Sequence, residues 1–257
     1  MIAITRAVSP TLADCQLTHL PRDPIDVAEA VAQHECYEAA LRSLRATVVR
    51  APEEPALPDA VFVEDTAIAL DEVAVITRPG ALTRRLEVES VARVLGAYRP
   101  LLRIQSPGTL DGGDVLVVGH KVYVGLSSRT NRQGIEQLET LLSQWGYQVI
   151  PVPVTGCLHL KSAVTQVAEH LLLINPGWVR KECFGGMEMV AVAPEEPNGA
   201  NALLIGTAVI YPAHFPETAK RLNHAGVRVI QVPCTELAKA EGGVTCCSVV
   251  FEAEGSP

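Results

Sequence analysis

The sequence lacks several motifs that mark common protein classes. It contains no C-x-x-C pair, and its seven cysteines follow no regular spacing, which argues against a structural zinc site or a disulfide framework. Neither a G-x-G-x-x-G fingerprint nor a Walker phosphate loop is present, so nucleotide binding has no support. No apolar run approaches the length that spans a bilayer. We therefore expect reduced thiols, no metal, no cofactor and no membrane partner.

Charged residues are also scarce, at 19% of the chain, whereas 48% of the 257 residues are apolar and can bury a sizeable core. The formal net charge of −8 argues against nucleic acid as a partner and mildly favours a cationic small molecule. Residues 1–6 run straight into strand-like alternation without the features of a signal peptide. We expect a cytoplasmic protein with a single domain over residues 1–257, and a homodimer remains an open alternative.

Strand and helix patterns follow one another in a repeating order. Two strand-like runs, a helical run and a third strand recur roughly every 45 residues, a period typical of solenoids and propellers. The hairpins that open these units are predicted at 61–76, 114–124, 164–174 and 202–211. A strand at 248–251 could pair with a strand at 2–8 and close a ring, as in propellers. A doubly wound sheet is the alternative, but its units contain one strand per helix.

Local patterns also predict where helices begin and which face they bury. Asp26 is followed three residues later by an acid, which is typical of a helix N-terminus, and Thr130 is expected to cap a later helix. Leu82 and Leu86 fall at helical spacing and are expected on a buried face. The segment 175–198 shows no pattern and is expected to be irregular.

Polar residues interrupt the apolar strands, and a ring would bring equivalent strand ends together around one axis. Buried acids are costly unless a cation compensates them, which again favours a cationic ligand. The candidates for a shared site are Asp59, Glu64, Asp65, Asp111, Asp114, His159 and the pair Cys246 and Cys247.

Each candidate also has a purely structural interpretation. Asp111-Gly-Gly-Asp114 is most often a turn with two glycines at positive φ, His159 a half-buried histidine, and the cysteine pair small core residues. The joint occurrence of a thiol, an imidazole and a carboxylate favours catalysis. The residues alone do not decide whether Cys246 or Cys247 is the nucleophile.

Six motifs occur in a fixed order: Phe62-Val-Glu-Asp65, Thr77-Arg-Pro-Gly80, Leu110-Asp-Gly-Gly-Asp114, Gly125-Leu-Ser-Ser-Arg-Thr-Asn131, Leu158-His-Leu-Lys-Ser162 and Thr245-Cys-Cys-Ser248. Together they resemble the dimethylarginine dimethylaminohydrolase family, of the guanidino-group-modifying superfamily that includes arginine deiminases and amidinotransferases. The resemblance runs from about residue 57 to 251 and is weaker over the first 50 residues. It implies a five-bladed α/β-propeller of ββαβ units with pseudo-fivefold symmetry.

The resemblance also implies a role for each site residue. Cys246 would be the nucleophile, His159 the general acid and base, and Asp111, where some relatives have Glu, would orient the imidazole. The implied substrate ligands are Asp59, Glu64 and Asp65 for the guanidinium, Arg84 and Arg129 for the α-carboxylate, and the carbonyls of Leu17 (in a lid loop) and Ala240 for the α-ammonium.

The implied reaction is hydrolysis of N-omega-methylated arginines, such as asymmetric dimethylarginine and monomethylarginine. The products would be citrulline and dimethylamine or methylamine, through a covalent cysteine S-alkylthiouronium. One alternative is an arginine deiminase-like hydrolase acting on free arginine. A second is a non-catalytic guanidine-binding protein, which a complete Cys–His–Asp set disfavours. Agmatine is disfavoured as a substrate because it has no carboxylate for Arg84 and Arg129.

Overall fold

The computed structural model describes residues 1–253, so the predicted domain of residues 1–257 extends beyond the described part. Within residues 1–253, fifteen strands form five three-stranded sheets. The strands are β1 Ile2–Thr5, β2 Thr47–Arg50, β3 Ala67–Ala69, β4 Ala74–Ile76, β5 Leu101–Arg103, β6 Val115–Val118, β7 Lys121–Leu126, β8 Gln148–Pro153, β9 Val164–Ala168, β10 Leu171–Ile174, β11 Glu188–Ala191, β12 Leu203–Ile205, β13 Ala208–Pro212, β14 Arg228–Val232 and β15 Val249–Phe251.

Helices connect the second and third strands of most sheets. The α-helices are α1 Val27–Ser43, α2 Val88–Leu95, α3 Arg132–Leu142, α4 Leu160–Ala163, α5 Pro216–His224 and α6 Thr235–Lys239. The 3₁₀ helices are Leu12–Asp14, Val63–Thr66, Thr83–Glu87, Gly112–Asp114, Ser143–Trp145 and Lys181–Phe184. None of the helices within the described residues is long and apolar enough to cross a membrane.

Every sheet has the same internal order, which confirms the predicted five-bladed α/β arrangement. Its first two strands are antiparallel, and its second and third are parallel, joined by a helical crossover. The fifth sheet has the order β15-β1-β2, with Ile2 opposite Phe251 in the antiparallel pair. The two ends of the described chain therefore complete one blade together, as the sequence predicts.

The core lies between neighbouring blades rather than in one central mass. One apolar cluster joins the β3–β5 sheet to the β6–β8 sheet, with Val75, Val122 and Leu138 among its buried members. Each buried aliphatic side chain of this kind contributes about 1.5–3 kcal/mol relative to an exposed one. The interblade clusters thus hold the sheets in fixed positions around the axis.

A cavity of about 330 Å³ runs along the axis, lined by the first strand of each sheet. Those five strands, β3, β6, β9, β12 and β15, lie at the edge of their sheets. Their backbone N–H and C=O groups on the axial side need partners other than strands. The wall of the axial cavity is largely apolar, and Glu64, Lys161 and Thr245 add polar groups to it.

Two predicted helix starts have different outcomes. Asp26 caps α1 and accepts a hydrogen bond from the Glu29 N–H at 3.1 Å, as predicted. The cap of α3, however, is Asn131, which accepts from the Gly134 N–H at 2.8 Å, so the prediction of Thr130 was wrong by one residue. The Thr130 hydroxyl is used inside the site instead, where it donates to an aspartate.

The expectation that Leu82 and Leu86 are buried was wrong, since they are 72% and 70% exposed. The segment Thr83–Glu87 is a 3₁₀ helix, in which side chains three residues apart share a face. That spacing turns Arg84 and Glu87 inward and the two leucines outward.

The segment 175–198 is more regular than predicted. It contains the 3₁₀ helix Lys181–Phe184 and the strand β11, which pairs in parallel with β10. The third sheet is thus a complete blade in which a 3₁₀ turn replaces the crossover α-helix. A four-residue turn has too little length to show helical periodicity in the sequence.

Candidate active site

Four polar side chains lie at the same end of the first strands of four blades. Asp65 lies two residues before β3, Asp111 four before β6, His159 five before β9 and Cys246 three before β15. Short helical turns precede three of these strands, and Asp65, Asp111 and His159 lie in these turns or directly before them. Residues far apart in the sequence are brought together because the blades repeat one geometry.

His159 lies between two carboxylates. Its Nε2 atom is 3.0 Å from Oδ2 of Asp111, and its Nδ1 atom is 3.9 Å from Oδ1 of Asp65. Burial works against a charged imidazole, but the surrounding carboxylates outweigh it and raise the pKa of His159 to about 9. The imidazole is therefore protonated at neutral pH and can serve as an acid.

Both carboxylate oxygens of Asp111 accept hydrogen bonds. Oδ1 accepts the Gly80 N–H at 2.8 Å, and Oδ2 accepts from His159. Its own N–H donates to the Thr130 hydroxyl at 3.1 Å. The carboxylate is fully buried and cannot rotate without losing a bond, so it holds one orientation of the imidazole.

The two glycines of the Asp111-Gly-Gly-Asp114 motif serve close approach rather than positive φ, which corrects the turn interpretation. A Cβ on Gly113 would lie 2.7 Å from both Oδ1 of Asp65 and Nδ1 of His159. The Gly113 N–H also donates to Asp65 at 2.9 Å. Only glycine lets the backbone pass this close to the two side chains.

Asp114 supports the site from behind. Its Oδ1 accepts the Leu160 N–H at 3.0 Å, and its Oδ2 accepts from Ser127 and Thr130 at 2.6 and 2.7 Å. Burial raises the pKa of Asp114 to about 6, although His159 opposes the shift. By holding the residue after His159, Asp114 fixes the backbone that carries the imidazole.

Arg84 is buried and saturated with protein partners. It forms ion pairs with Asp65 and Glu87, and its Nη2 also donates to the Phe62 carbonyl at 2.9 Å. Burial would raise the pKa of Asp65, but His159 and Arg84 outweigh it and lower that pKa to about 2. Asp65 is thus a permanent anion between two cations.

The Cys246 thiol is half-buried, and its sulfur accepts the Gly243 N–H at 3.3 Å. Burial, with the negative charges of Glu64 and Asp65, raises the pKa of this thiol. Cys247 is buried in an apolar cluster and contacts the Gly243 carbonyl. Only Cys246 of the pair therefore faces the cavity that His159 also lines.

That cavity is small, about 20 Å³, which is room for about one water. The lid loop (residues 15–22) closes it. The Gln16 N–H donates to the Asp59 carboxylate at 3.2 Å, and Arg129 Nη2 donates to the Thr18 hydroxyl at 3.1 Å. Burial raises the pKa of Asp59 against the opposing charge of Arg84.

The structure brings most of the predicted site residues into one cavity. The predicted residues on its wall are Asp59, Asp65, Arg84, Arg129, His159, Ala240 and Cys246. Asp111 lies directly behind His159. Leu17 is half-buried and lies between two lid residues that contact the site, although its side chain does not form the wall.

Glu64 is placed differently from the prediction. Its carboxylate lies on the wall of the axial cavity, 2.5 Å from Lys161 Nζ and 2.8 Å from the Thr245 hydroxyl. Glu64 and Asp65 are adjacent in a 3₁₀ turn, so their side chains point to opposite sides. The Glu64–Lys161 pair separates the axial cavity from the site.

Sequence reasoning missed three polar residues around the site. Glu87 pairs with Arg84, Lys161 pairs with Glu64, and Glu241 holds the lid loop. An Arg-x-x-Glu spacing at 84–87 could have indicated the first pair. No local pattern indicates the other two, because their partners lie in other blades.

Asp65, Asp111 and His159 present ligand atoms within 4.8 Å of one another, which is a spacing that metal sites share. The surrounding carboxylates raise the pKa of His159 to about 9, and a proton on the imidazole competes with a metal ion. Both carboxylates are also paired, Asp65 with Arg84 and Asp111 with His159. These contacts favour proton transfer over metal binding at this position.

Comparison with known proteins decides the family. The profile of the family described as "N,N dimethylarginine dimethylhydrolase, eukaryotic" matches residues 21–252. The chain is 36% identical over 249 residues to an N(G),N(G)-dimethylarginine dimethylaminohydrolase of Streptomyces coelicolor, covering 96% of this chain and 95% of that one. This chain belongs to the dimethylarginine dimethylaminohydrolase family.

Two further relatives agree with this membership. An N(G),N(G)-dimethylarginine dimethylaminohydrolase of Pseudomonas aeruginosa is 35% identical over 228 residues, covering 88% of this chain and 90% of that one. A solved structure of the dimethylarginine dimethylaminohydrolase from Pseudomonas aeruginosa, a cysteine-to-serine mutant complexed with citrulline, superimposes with a TM-score of 0.93. It is 34% identical and covers 97% of this chain and 98% of that one. The family resemblance carried by the six motifs is confirmed.

Proposed function

We propose that this protein hydrolyses N-omega-methylated arginines to citrulline and dimethylamine or methylamine, through a covalent intermediate on Cys246. One observation carries the proposal. A half-buried thiol, a protonated histidine and two carboxylates line the same closed cavity. The relative solved with citrulline binds the product that this reaction would release.

The cavity selects a cation. Asp59 and Asp65 are buried on its wall, and burial alone raises the pKa of Asp59 because the charged form lacks solvent. A guanidinium placed between them would restore the lost solvation and form charge-assisted hydrogen bonds. The same charges keep the bound guanidinium protonated, so its central carbon stays electrophilic.

The thiol is activated by the substrate itself. In the empty site, burial and nearby carboxylates keep Cys246 protonated by raising its pKa. A guanidinium cation beside the sulfur reverses that electrostatic balance and favours the thiolate, whose proton passes to solvent. The reactive thiolate therefore forms only when its target is bound.

The thiolate then attacks the guanidinium carbon and forms a C–S bond. His159 donates its proton to the methylated nitrogen as the C–N bond breaks, which releases the amine and leaves an S-alkylthiouronium. The imidazole, now neutral, takes a proton from a water that attacks the same carbon. The C–S bond breaks, sulfur regains its electron pair, and citrulline leaves.

The two predicted carboxylate ligands are not equivalent. Arg84 uses its Nε, Nη1 and Nη2 atoms on protein acceptors, above all Asp65 and Glu87. Arg129 contacts the lid through Thr18 and lies 3.8 Å from Asp111. We infer that Arg129 is the main ligand of the substrate α-carboxylate, while Arg84 chiefly sets the charge and position of Asp65.

Citrulline release by the purified protein tests the function. Asymmetric dimethylarginine, monomethylarginine, arginine and agmatine are each supplied as the only substrate. Release from the two methylated arginines, and little from the others, is the expected result. Release chiefly from arginine would replace the proposal with a deiminase. Binding of all four without release would replace it with a guanidine-binding protein.

Mass spectrometry tests the intermediate directly. Acid quenching during turnover of dimethylarginine should trap an adduct on the peptide that contains Cys246. The His159→Gly variant should form little adduct from dimethylarginine, because it lacks the acid that protonates the departing amine. Turnover without any adduct would contradict covalent catalysis.

We also propose that one catalytic domain over residues 1–257 acts in the cytoplasm. Seven free cysteines, among them the proposed nucleophile, suit a reducing compartment. Cell fractionation with antibody detection would test the location.

A further inference from the structure

One carboxylate beside the site has no part in the proposed chemistry. Glu241 lies on the cavity wall next to Ala240, and its side chain accepts hydrogen bonds from three consecutive backbone N–H groups of the lid loop. The distances are 3.0 Å from Thr18, 2.5 Å from His19 and 2.6 Å from Leu20. Successive N–H groups that converge in this way form an anion-binding nest.

The backbone of Glu241 is also unusual. Its φ of 58° lies in the left-handed region, which residues with a Cβ rarely adopt. Such conformations persist where the surroundings over-determine them, and they concentrate at ligand clamps and switches. The conformation aims the carboxylate across the cavity mouth at the lid loop.

Two of the other lid contacts are made by proposed substrate ligands. Asp59 holds the Gln16 N–H, and Arg129 holds the Thr18 hydroxyl. On the proposed function, both side chains turn to the guanidinium and the α-carboxylate when substrate binds. These two contacts therefore weaken when closure is needed, whereas the Glu241 contact can persist.

The lid loop must move in each catalytic cycle. The closed cavity of about 20 Å³ holds about one water, so an amino acid substrate enters only after the lid loop opens. Closure then excludes bulk water from the thiouronium. A reversible bond between the lid loop and the body would set how often the cavity opens.

We propose that Glu241 is a lid latch, a positioning residue that holds the lid loop closed over bound substrate. It stands five residues before Cys246 in the same segment, so the latch and the nucleophile share one rigid support. It acts through the lid loop and does not touch the reacting atoms.

Hydrogen exchange of the unliganded protein tests the latch without reference to any substrate. Glu241→Gln removes the charge at nearly constant size, and Glu241→Gly removes the side chain where glycine accepts the backbone conformation. In both variants, exchange of the Thr18, His19 and Leu20 amides should accelerate about tenfold or more, because charge-assisted bonds are lost. Unchanged exchange in both variants would overturn the proposal.

A matched control is Glu217→Gln, which removes an exposed carboxylate on α5 that pairs only with the neighbouring Lys220. It should leave lid exchange and thermal midpoint unchanged. Acceleration of the same amides in Glu217→Gln would show a non-specific charge effect and count against the latch.

Kinetics give a second measurement, which rests on the proposed function. If Glu241 only stabilises closure, Glu241→Gln should raise KM for dimethylarginine about tenfold and change kcat less than threefold. A loss in kcat with constant KM would contradict a positioning role. Faster exchange in a protein without hydrolase activity would retain the latch and reject the proposed function.

Discussion

The Nε2 atom of His159 points at Oδ2 of Asp111 across 3.0 Å, which leaves Nδ1 as the nitrogen for proton transfer. The buried carboxylate faces one nitrogen and so fixes the ring orientation. It also contributes to the raised pKa of about 9 that keeps the imidazole protonated at neutral pH. The contact with Asp111 therefore fixes the orientation of the proposed acid and, together with the charge of Asp65, raises its pKa.

Asp111→Asn should lower kcat by on the order of 10³-fold, because the imidazolium loses its charged partner. His159 has a folded-state pKa raised above its usual value, so activity that needs the protonated form persists below pH about 9 and falls above it. In Asp111→Asn the alkaline limb of the pH–rate profile should move to lower pH. Asp111→Glu, which keeps the charge, should lose less activity, and an unshifted alkaline limb would count against this role.

Cys246→Ser should abolish turnover, with a loss on the order of 10⁴-fold or more, because it removes the proposed nucleophile. Cys247→Ser should instead place a hydroxyl in an apolar cluster and cost about 1–3 kcal/mol of unfolding free energy. Its kcat at 25 °C should stay near that of the parent protein. Urea denaturation and steady-state kinetics of the two variants distinguish the roles, and the reverse pattern would transfer the nucleophile to Cys247.

Gly113→Ala should lower kcat/KM at least about 10²-fold with little loss of secondary structure, because small displacements of catalytic groups are costly. The added Cβ would displace Asp65, His159 or both. Gly185→Ala is the matched control, since a Cβ there meets nothing within 4 Å and the backbone is at negative φ. Circular dichroism and kinetics of both variants check this, and equal activity would show that the backbone can shift.

Lys161→Met should destabilise the protein by about 3 kcal/mol, because it leaves the buried Glu64 carboxylate without its partner. The double variant Glu64→Gln/Lys161→Met should recover most of that loss in urea denaturation. Its KM for dimethylarginine should change less than threefold, since Glu64 faces the axial cavity. A tenfold rise in KM would restore Glu64 as a guanidinium ligand, as the family resemblance implies.

His34 should make the stability of the protein sensitive to acid, independently of the active site. It is buried on α1 with Nε2 unpartnered, and burial lowers its pKa to about 4. The unfolded chain therefore binds a proton from pH 6.5 downward while the folded chain does not, so stability falls as pH drops toward 4. The contribution of His34 alone to this loss between pH 7 and pH 5 should be about 2 kcal/mol, whereas the raised pKa values of Asp114 and His159 act in the opposite direction.

His34→Leu should remove that dependence, as measured by urea midpoints at the two pH values. His224→Gln, which changes an exposed histidine at the end of α5, should keep it. An equal change in stability between pH 7 and pH 5 in the parent protein and in His34→Leu would contradict the expectation.

The sequence predicted the repeat, the ring closure and most of the residues on the cavity wall. It did so because polar motifs directly precede the first strands of the blades, and the order of these motifs can be read along the chain. The sequence could not predict that the side chains of Glu64 and Asp65 face different cavities. Two neighbouring residues in a 3₁₀ turn point in different directions, and no sequence periodicity indicates which direction each one takes. Leu82 and Leu86 were misplaced for the same reason.

The contacts of the lid loop also could not be predicted from the sequence. Glu241 meets Thr18, His19 and Leu20 through their backbone N–H groups, which every residue type but proline supplies. The residue types of the lid loop therefore give no indication that Glu241 binds there. Only the fold, which returns the last blade to the first, brings the two segments together.

The pairing of β15 with β1 also orders events during synthesis. Ile2 can pair with Phe251 only after the segment that also contains Cys246 has been synthesised. A nascent chain that has not reached β15 therefore carries an open ring and an unpaired β1 edge. Closure of the ring and arrival of the proposed nucleophile thus belong to the same step of synthesis.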